Sequence, residues 1–409
     1  MRQTPLVWSR YWFAALTARF APAALAVAGL MATPASVSAR AVLPSQAMAV
    51  PDYALLGPDF ARGKVGGTLK RAILDRAQVF LTRNPRPAKH IRIEGVSSGQ
   101  AQAPGITGQV SDARDIAAAK ASLEDMDVMF DLAVAWRLTG DRAYLRKATQ
   151  YIDAWVSTYT LSFNPIDEGR FDRMILAYDL VAPDASTAMR VKVSLFLKQL
   201  AAGYIEAMEK SDVPIKPTLT NNWQSHRIKL ATLAAFQLGD DDLIRRARML
   251  FEMQVDANLL PDGSTIDFAQ RDALHYVDFS LSSQLMAALA AKAHGEDWYG
   301  YQGREGRSLQ RTLAWLSAFA SGKQSHIEFV KSVVPFDRQR AEAGNPLFRN
   351  EPWKPATAER VYLMAAYLDP EWRTIAAGLH RTAAAQPELR NDEDGAVEWL
   401  LMLDEGTKT

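Results

Sequence analysis

Cysteine is absent from the 409-residue sequence, which excludes disulfide bonds and thiolate metal sites. An excess of charge is absent too, because 47 basic residues face 46 acidic ones and the formal net charge is +1. Nucleic-acid-binding proteins are usually strongly basic, so this balance predicts that the chain does not bind nucleic acid. The six histidines are scattered, and no pair has the spacing of an HExxH motif. We therefore expect no metal site and no cofactor.

Long apolar runs are absent beyond the N-terminus, where residues 1–39 predict a signal peptide. This segment has a basic start, an uncharged apolar run over residues 20–32, and the small residues Val37, Ser38 and Ala39 at the positions that a signal peptidase requires. The apolar run is short for a membrane span. We expect cleavage after Ala39, export to the periplasm or secretion beyond it, and no stable membrane span in the mature chain. An uncleaved membrane anchor is the alternative.

Strand-like alternation is scarce in the remaining chain, and helical periodicity dominates it from Ser122 onward. A weak internal repeat has the pattern helix, tight Gly/Asp turn, helix, with its clearest copies at Gly140-Asp141 and Gly239-Asp240. The glycine is expected to end one helix in a left-handed conformation, and the aspartate to cap the next. Stacked helical hairpins of this kind form either an open solenoid or a closed α/α toroid. The repeat itself favours neither.

The domain organisation follows from the distribution of prolines and linkers. Residues 40–67 contain Pro44, Pro51 and Pro58 and predict an extended N-terminal arm over the domain. No linker divides residues 68–405, so we expect them to form one all-α domain. The main exception to the helical pattern is residues 326–334, which predict a strand or a loop.

Two polar clusters stand out against this helical background. The first, Thr-Asn-Asn-Trp-Gln-Ser-His-Arg over residues 220–227, opens an apolar-periodic run. A helix start needs one capping Ser, Thr, Asp or Asn, so this cluster exceeds what capping requires. Asn222 and His226 are four residues apart and share a helix face. The second, Arg-Asp-Ala-Leu-His-Tyr over residues 271–276, is expected to open one helix and to face the first cluster across a cleft.

Neither cluster contains a nucleophile with its base, a GxSxG elbow or a phosphate-binding glycine loop. Their amide, imidazole, guanidinium and phenol groups suit removal of a proton from the carbon next to a carboxylate, because such donors stabilise the charge that develops there. A neutral histidine or an ionised tyrosine takes the proton, and tyrosine protonates the leaving oxygen. A free tyrosine has a pKa of about 10, which a nearby cation such as Arg271 would lower. The pattern predicts β-elimination on a uronic-acid polysaccharide.

Structural roles and other functions compete with this interpretation. In the simplest interpretation Asn221 or Asn222 only caps a helix. Trp223 packs in the hydrophobic core or stacks on a sugar ring, and the sequence favours neither. Arg271 could instead form a structural ion pair with Asp267 or Asp272. The competing functions are a glycoside hydrolase on the same helical array, with paired carboxylates, and a non-catalytic carbohydrate-binding protein. The hydrolase would draw its carboxylates from Glu168, Asp172, Asp267 and Asp272.

The same stretches resemble the alginate lyase family, together with its relatives that act on other polyuronates such as glucuronan. The likeness runs from about residue 70 to residue 320. It implies an incomplete α/α toroid with a deep cleft, and an exported, metal-independent lyase. The matching parts are Asn221-Asn222, residues 261–264 (Pro-Asp-Gly-Ser), residues 271–276, residues 163–166 (Phe-Asn-Pro-Ile), residues 177–180 (Ala-Tyr-Asp-Leu) and the hairpin over residues 135–155.

By this resemblance, Asn222 helps to neutralise the uronate carboxylate, Arg271 supports it, and Tyr276 is the catalytic acid and a candidate base. Typical members carry a histidine directly after the second asparagine and another after the tyrosine. This chain has Trp223 and Val277 there, so His226 becomes the leading base or neutraliser. The expected substrate is an anionic uronate polysaccharide, alginate or a related polyuronate. The residues expected to bind it are Asn221, Trp223, Arg227, His275 and Tyr178.

Overall fold

A computed structural model describes residues 52–57, 59–60, 65, 67–93, 113–210, 217–386 and 399–401. The predicted signal peptide over residues 1–39 and much of the predicted arm lie outside the described residues. The described residues form one compact unit. None of their helices is long and apolar enough to cross a membrane.

The described part of the chain is built from α-helices and short 3₁₀ turns, without a β-strand. Its only bridge-type pairs are Leu259 with Thr265 and Ile327 with Pro352, so residues 326–334 form a loop. The helices are α1 (Gly67–Phe80), α2 (Ala113–Thr139), α3 (Arg142–Thr158), α4 (Phe171–Val181), α5 (Thr187–Glu209), α6 (Asn222–Leu238), α7 (Asp241–Asn258), α8 (Ile266–Arg271), α9 (Leu274–Ala293), α10 (Leu309–Ala320), α11 (Pro335–Glu342), α12 (Glu359–Leu368) and α13 (Arg373–Ala385).

The helices form two layers. Helices α2, α4, α6, α9 and α12 pack in that order against one another and make an inner ring. Helices α3, α5 and α7 pack against one another outside it, and α13 packs on α12. The inner helices are buried nearly all round, with every residue of α4 and most residues of α6 and α9 inaccessible to solvent. This arrangement is an α/α toroid, as the family resemblance led us to expect.

The Gly/Asp turns of the repeat are confirmed. Gly140 and Gly239 have φ values of +71° and +58°, the left-handed region that favours glycine. Asp141 accepts a hydrogen bond from the Ala143 backbone N–H and begins α3. Asp240 caps α7 in the same way. This turn chemistry therefore begins the outer helices α3 and α7 directly after the inner helices α2 and α6.

The prediction that one helix begins within residues 271–276 and includes all of them is wrong. Arg271 ends the short helix α8, and α9 begins only at Leu274. Between them Asp272 adopts φ +52°, a left-handed conformation that aspartate tolerates better than most residues. Loop contacts stabilise it, because the Asp272 carbonyl accepts from the Phe329 N–H at 2.8 Å and its carboxylate accepts from the Lys331 N–H at 2.7 Å.

Within the described part of the arm, residues 52–57 contact the toroid through Asp179 near the end of α4. The carboxylate of Asp179 accepts the backbone N–H groups of Ala54, Leu55 and Leu56 at 2.7, 2.9 and 2.9 Å. Gln237 of α6 donates to the same carboxylate at 3.4 Å. Burial raises the pKa of Asp179 to about 7, against the effect of these donors.

We expect Asp179→Ala to lower the free energy of unfolding by about 2–4 kcal/mol, because three buried N–H groups lose their acceptor at once. Urea denaturation followed by circular dichroism measures the change. Asp184→Ala, at an exposed position just beyond α4, is the control and should stay within about 0.5 kcal/mol of the unmodified protein. A loss below about 1 kcal/mol for Asp179→Ala would contradict this account of the arm.

Candidate active site

The N-terminal halves of four inner helices meet at one end of the ring. Lys229 of α6 donates to the carboxylate of Asp172 on α4 at 2.7 Å, and Arg360 of α12 lies 3.7 Å from the same carboxylate. His226 of α6 has its Nδ1 atom 3.1 Å from the Ser283 hydroxyl of α9. Helix N-termini carry partial positive charge, so this end of the ring suits an anion.

A buried carboxylate joins the two polar clusters. The Asn222 backbone N–H at the start of α6 donates to Asp267 of α8 at 3.0 Å. The same carboxylate accepts from the Asn258 amide at 2.8 Å and from the Ser280 hydroxyl at 2.9 Å. Asp267 thereby fixes the first turn of α6 against α7, α8 and α9. The capping role belongs to Asn221, whose side chain accepts the N–H group two residues on at 3.0 Å.

The side chain of Asn222 is free of that capping role. Its Oδ1 atom is buried and has no hydrogen-bond partner among the described residues. An amide can turn by half a rotation and present its NH₂ group at the same place. The Asn222 side chain can therefore accept a hydrogen bond from a ligand through Oδ1 or, after rotation of the amide, donate one through its NH₂ group.

His226 lies one turn further along α6, with its ring centroid 6.1 Å from that of Phe279 on α9. Burial lowers the pKa of His226 to about 3, and the nearby Lys229 charge acts in the same direction. Asp172 opposes this effect without overcoming it. The imidazole is neutral at pH 7, so it acts as a hydrogen-bonding group or proton acceptor and not as a cation.

Arg271 and Tyr276 contact each other directly although they belong to different helices. The Arg271 guanidinium lies 3.8 Å from the centroid of the Tyr276 ring, a cation–π contact. The expected ion-pair partners of Arg271, Asp267 and Asp272, are replaced by Asp337 of α11. Arg271 Nε lies 3.2 and 3.1 Å from the two Asp337 oxygens, and Nη2 donates to the first of them.

Tyr276 is buried in the first turn of α9, where only 6% of its surface is exposed. Its hydroxyl accepts a hydrogen bond from Arg340 Nη1 at 3.4 Å. Phe279 and Phe329 pack on the ring with centroid distances of 6.0 and 6.3 Å. The phenol thus lies between two guanidinium groups in largely apolar surroundings.

His275, which we expected to contact substrate, pairs with the carboxylate of Glu328. Its carboxylate accepts the backbone N–H groups of Leu274 and His275 at 2.6 and 3.3 Å, which are among the first donors of α9. The second carboxylate oxygen pairs with His275 Nδ1. His275 therefore helps to hold the N-terminus of α9 beside Tyr276.

Arg227 and Trp223 lie at the outer edge of the α6 start. Arg227 donates to the Thr218 carbonyl at 2.5 Å and to the Gln224 side chain at 3.2 Å, so it braces the preceding turn. Burial lowers the pKa of Arg227 to about 10. Its guanidinium lies 5.8 Å from the Trp223 ring, and Trp223 keeps part of its surface exposed. Of these two, Trp223 has the better access to a ligand.

Tyr178 does not lie at this end of the ring. Our expectation that it contacts substrate is therefore corrected. It is buried in the second half of α4, directly before Asp179, which binds the arm. Burial raises the pKa of Tyr178 to about 12. Arg170 and Arg173, which precede Tyr178 in the sequence, pair with Asp127 of α2.

Sequence reasoning missed several charged residues of the site. All of them except Lys229 reach the site from a helix or loop that is distant in sequence from both clusters. Lys229 stands three residues after His226 in a run that looks purely apolar, and the charge inside that run was an available signal. The missed residues are Lys229, Glu328, Asp337, Arg340 and Arg360, whereas Asp172 was named only as a carboxylate of the alternative hydrolase.

We expect the His226 imidazole to remain neutral down to pH 5, because burial and the Lys229 charge oppose its protonation. Histidine ring signals in nuclear magnetic resonance spectra recorded from pH 4 to pH 8 measure this. The signal that disappears in His226→Gln identifies the residue. A titration of that signal near the ordinary histidine value of about 6.5 would contradict the prediction.

Comparison with known proteins adds two sequence relationships. The family model described as alginate lyase matches residues 77–326, more than half of the chain. A polysaccharide lyase of Stenotrophomonas maltophilia (strain K279a) is 26% identical over 183 residues, which cover 42% of this chain and 53% of that protein. The chain thus spans about half the length of this curated relative.

Two crystal structures share the fold. An alginate lyase from Bacteroides ovatus superposes with a TM-score of 0.54 at 20% identity, over 76% of this chain and 89% of that one. Alginate lyase A1-III from Sphingomonas species A1 superposes with a TM-score of 0.50 at 18% identity, over 67% and 81% of the two chains. The helical toroid and the extent of the family match together show that the chain belongs to the alginate lyase family.

Proposed function

We propose that this chain is a polysaccharide lyase that cleaves a uronic-acid polymer by β-elimination. The observation that carries the proposal is the contact of Arg271 with the Tyr276 ring at the end of the toroid that also holds Asn222 and His226. Membership of the alginate lyase family supports the same reaction. No paired nucleophile and base accompany these residues in the sequence.

In this proposal two neutral side chains donate hydrogen bonds to the uronate carboxylate. The Asn222 amide turns its NH₂ group toward the carboxylate, which also supplies the missing partner for this buried side chain. The neutral His226 imidazole donates a second hydrogen bond. These donors stabilise the negative charge that builds on the carboxylate when the neighbouring carbon loses its proton. Because they are fixed by helix packing, little reorganisation accompanies that step.

Tyr276 moves the proton. As a phenolate it takes the proton from the carbon next to the carboxylate, and the electron pair of that C–H bond forms the new carbon–carbon double bond. The bond to the glycosidic oxygen breaks, and the phenol returns the proton to the leaving oxygen. One side chain can act as both base and acid, because it takes the proton from carbon before it gives the proton to the leaving oxygen. His226 remains the alternative base, since its imidazole is neutral at pH 7.

The charges around the site favour an anionic polymer over a neutral one. Cationic side chains reach this end of the ring from α6, α8, α11 and α12, and four helix N-termini add partial positive charge. Alginate and other polyuronates such as glucuronan satisfy this requirement equally. The positions where Trp223 and Val277 replace the histidines of typical members point to a difference in the sugar that is bound.

A glycoside hydrolase on the same toroid is disfavoured because its carboxylates are already engaged. Burial would raise the pKa of Asp172, but Lys229 and Arg360 outweigh it and hold that pKa well below its usual range. Asp267 accepts three hydrogen bonds within the protein. Glu168 accepts from the hydroxyls of Tyr159 and Tyr204 and from Ser162. None of these three is left to protonate or attack a glycosidic bond.

Incubation with alginate, polyglucuronate and related polymers should release unsaturated chain ends, measured by their ultraviolet absorbance. Tyr276→Phe should lower the rate at least about 100-fold, because proton transfer loses its group. Tyr144→Phe, which removes a hydroxyl bonded to Gln78 on the outer layer, is the matched control and should keep the full rate. Reducing ends without absorbance would indicate hydrolysis, and an unchanged rate in Tyr276→Phe would remove Tyr276 from the mechanism.

We also infer that the lyase acts after export, because residues 1–39 have the pattern of a signal peptide. Expression in a Gram-negative host should give a protein in the periplasmic fraction whose first residue is Arg40. Mass spectrometry of the intact protein measures that boundary. Retention of residues 1–39 in the membrane fraction would favour an uncleaved anchor.

A further inference from the structure

Helix α11 presents two charged side chains to the region of Tyr276. Asp337 and Arg340 are three residues apart and share one face of this helix. Both side chains are buried. Asp337 binds the Arg271 guanidinium, and Arg340 donates to the Tyr276 hydroxyl at 3.4 Å. One short helix thus contacts both the phenol and the cation that stacks on it.

Asp337 and Arg340 contact different parts of the stacked pair. Asp337 contacts Arg271 through both carboxylate oxygens. The Arg340 guanidinium lies 4.1 Å from the Phe336 ring centroid and 4.6 Å from the Phe348 ring centroid. Aromatic surroundings screen a charge weakly, so the charge of Arg340 acts on the Tyr276 oxygen that it contacts.

Other ionisable groups around Tyr276 come from every element packed on it. His275 is its neighbour on α9, with ring centroids 4.3 Å apart, and pairs with Glu328. Burial lowers the pKa of Arg271, but Tyr276 and Asp337 raise it more than enough to compensate. Asp267, which lies on the same short helix as Arg271, raises it further by a smaller amount. Among the described residues, the ionisable groups with a contact to Tyr276 or to its direct partners include Asp267, Arg271, His275, Glu328, Asp337 and Arg340.

We propose that Arg340 is a positioning residue that holds the Tyr276 oxygen as a phenolate, and that Asp337 limits how much charge Arg271 adds to it. The proposal rests on the β-elimination proposed above, in which the phenolate takes the substrate proton. Arg340 takes no proton itself. It lowers the free energy of the charged oxygen before the transfer, and after the transfer its N–H still orients the phenol toward the leaving oxygen.

Two substitutions should shift the titration of Tyr276 in opposite directions. Arg340→Gln removes the cation at the oxygen and should raise the midpoint by one to three pH units, the range expected for loss of a charge at this distance. Asp337→Asn leaves Arg271 uncompensated and should lower the midpoint. Arg340→Lys keeps a charge and should restore most of the shift. A purely structural contribution would not give shifts of opposite sign.

Phenolate absorbance measures the titration without any substrate. The difference between the full chain and Tyr276→Phe isolates Tyr276 from the other eleven tyrosines. Each variant is compared with the double variant that also carries Tyr276→Phe, and circular dichroism verifies folding. Arg338→Gln, an exposed position on the same helix, is the control and should leave the midpoint unchanged. If Arg340→Gln does not fold, Asp337→Asn and Arg340→Lys decide: a lower midpoint in the first and a nearly unchanged midpoint in the second support the proposal, and any other pair of results overturns it.

Activity provides the second readout. On a polymer that the unmodified protein cleaves, the pH optimum of Arg340→Gln should move upward by as much as the phenol midpoint, and Arg340→Lys should recover most of the rate at neutral pH. An unmoved midpoint in Arg340→Gln, or a midpoint that rises in Asp337→Asn, overturns the proposal for α11. Absence of elimination by the unmodified protein on every uronate polymer would instead overturn the proposed function, independently of the titration.

Discussion

The carboxylate of Asp267 is the contact on which the site depends. It is fully enclosed, and it accepts hydrogen bonds from the first backbone N–H of α6, from an amide of α7 and from a hydroxyl of α9. Burial raises its pKa, against the effect of these donors. Asn222, Arg271 and Tyr276 belong to three different helices, and this one side chain fixes the starts of those helices relative to each other. Without it the toroid would still bury its inner ring, but the polar groups would lose their mutual positions.

Local features of the toroid were readable from the sequence. The Gly140-Asp141 and Gly239-Asp240 turns carry their own backbone chemistry, since glycine permits the left-handed conformation and aspartate caps the helix that follows. The start of α6 was equally readable, because Asn221 caps it as an asparagine is expected to. In each case the residues that determine the structure are within four positions of one another. The closure of the hairpins into a ring came from the family resemblance.

The features that sequence reasoning missed depend on contacts between distant segments. Asp337 stands 66 positions after Arg271, and nothing in either neighbourhood indicates the pair. The break between α8 and α9 has the same origin, because the left-handed conformation of Asp272 is stabilised by a loop that follows more than fifty residues later. The assignment of Tyr178 failed for a related reason. Local pattern places a residue on a helix, but the packing of the ring decides which end of that helix is accessible.

The position of α11 along the chain has a consequence for truncation. The segment that matches the family model ends at residue 326, whereas the counterion of Arg271 and the guanidinium at Tyr276 both follow that boundary. A protein shortened to the matched segment would keep Arg271 in the interior and lose its carboxylate. Leaving one member of a buried ion pair alone costs about 3–5 kcal/mol. The smallest unit that keeps the surroundings of Tyr276 therefore extends past residue 326 and includes α11.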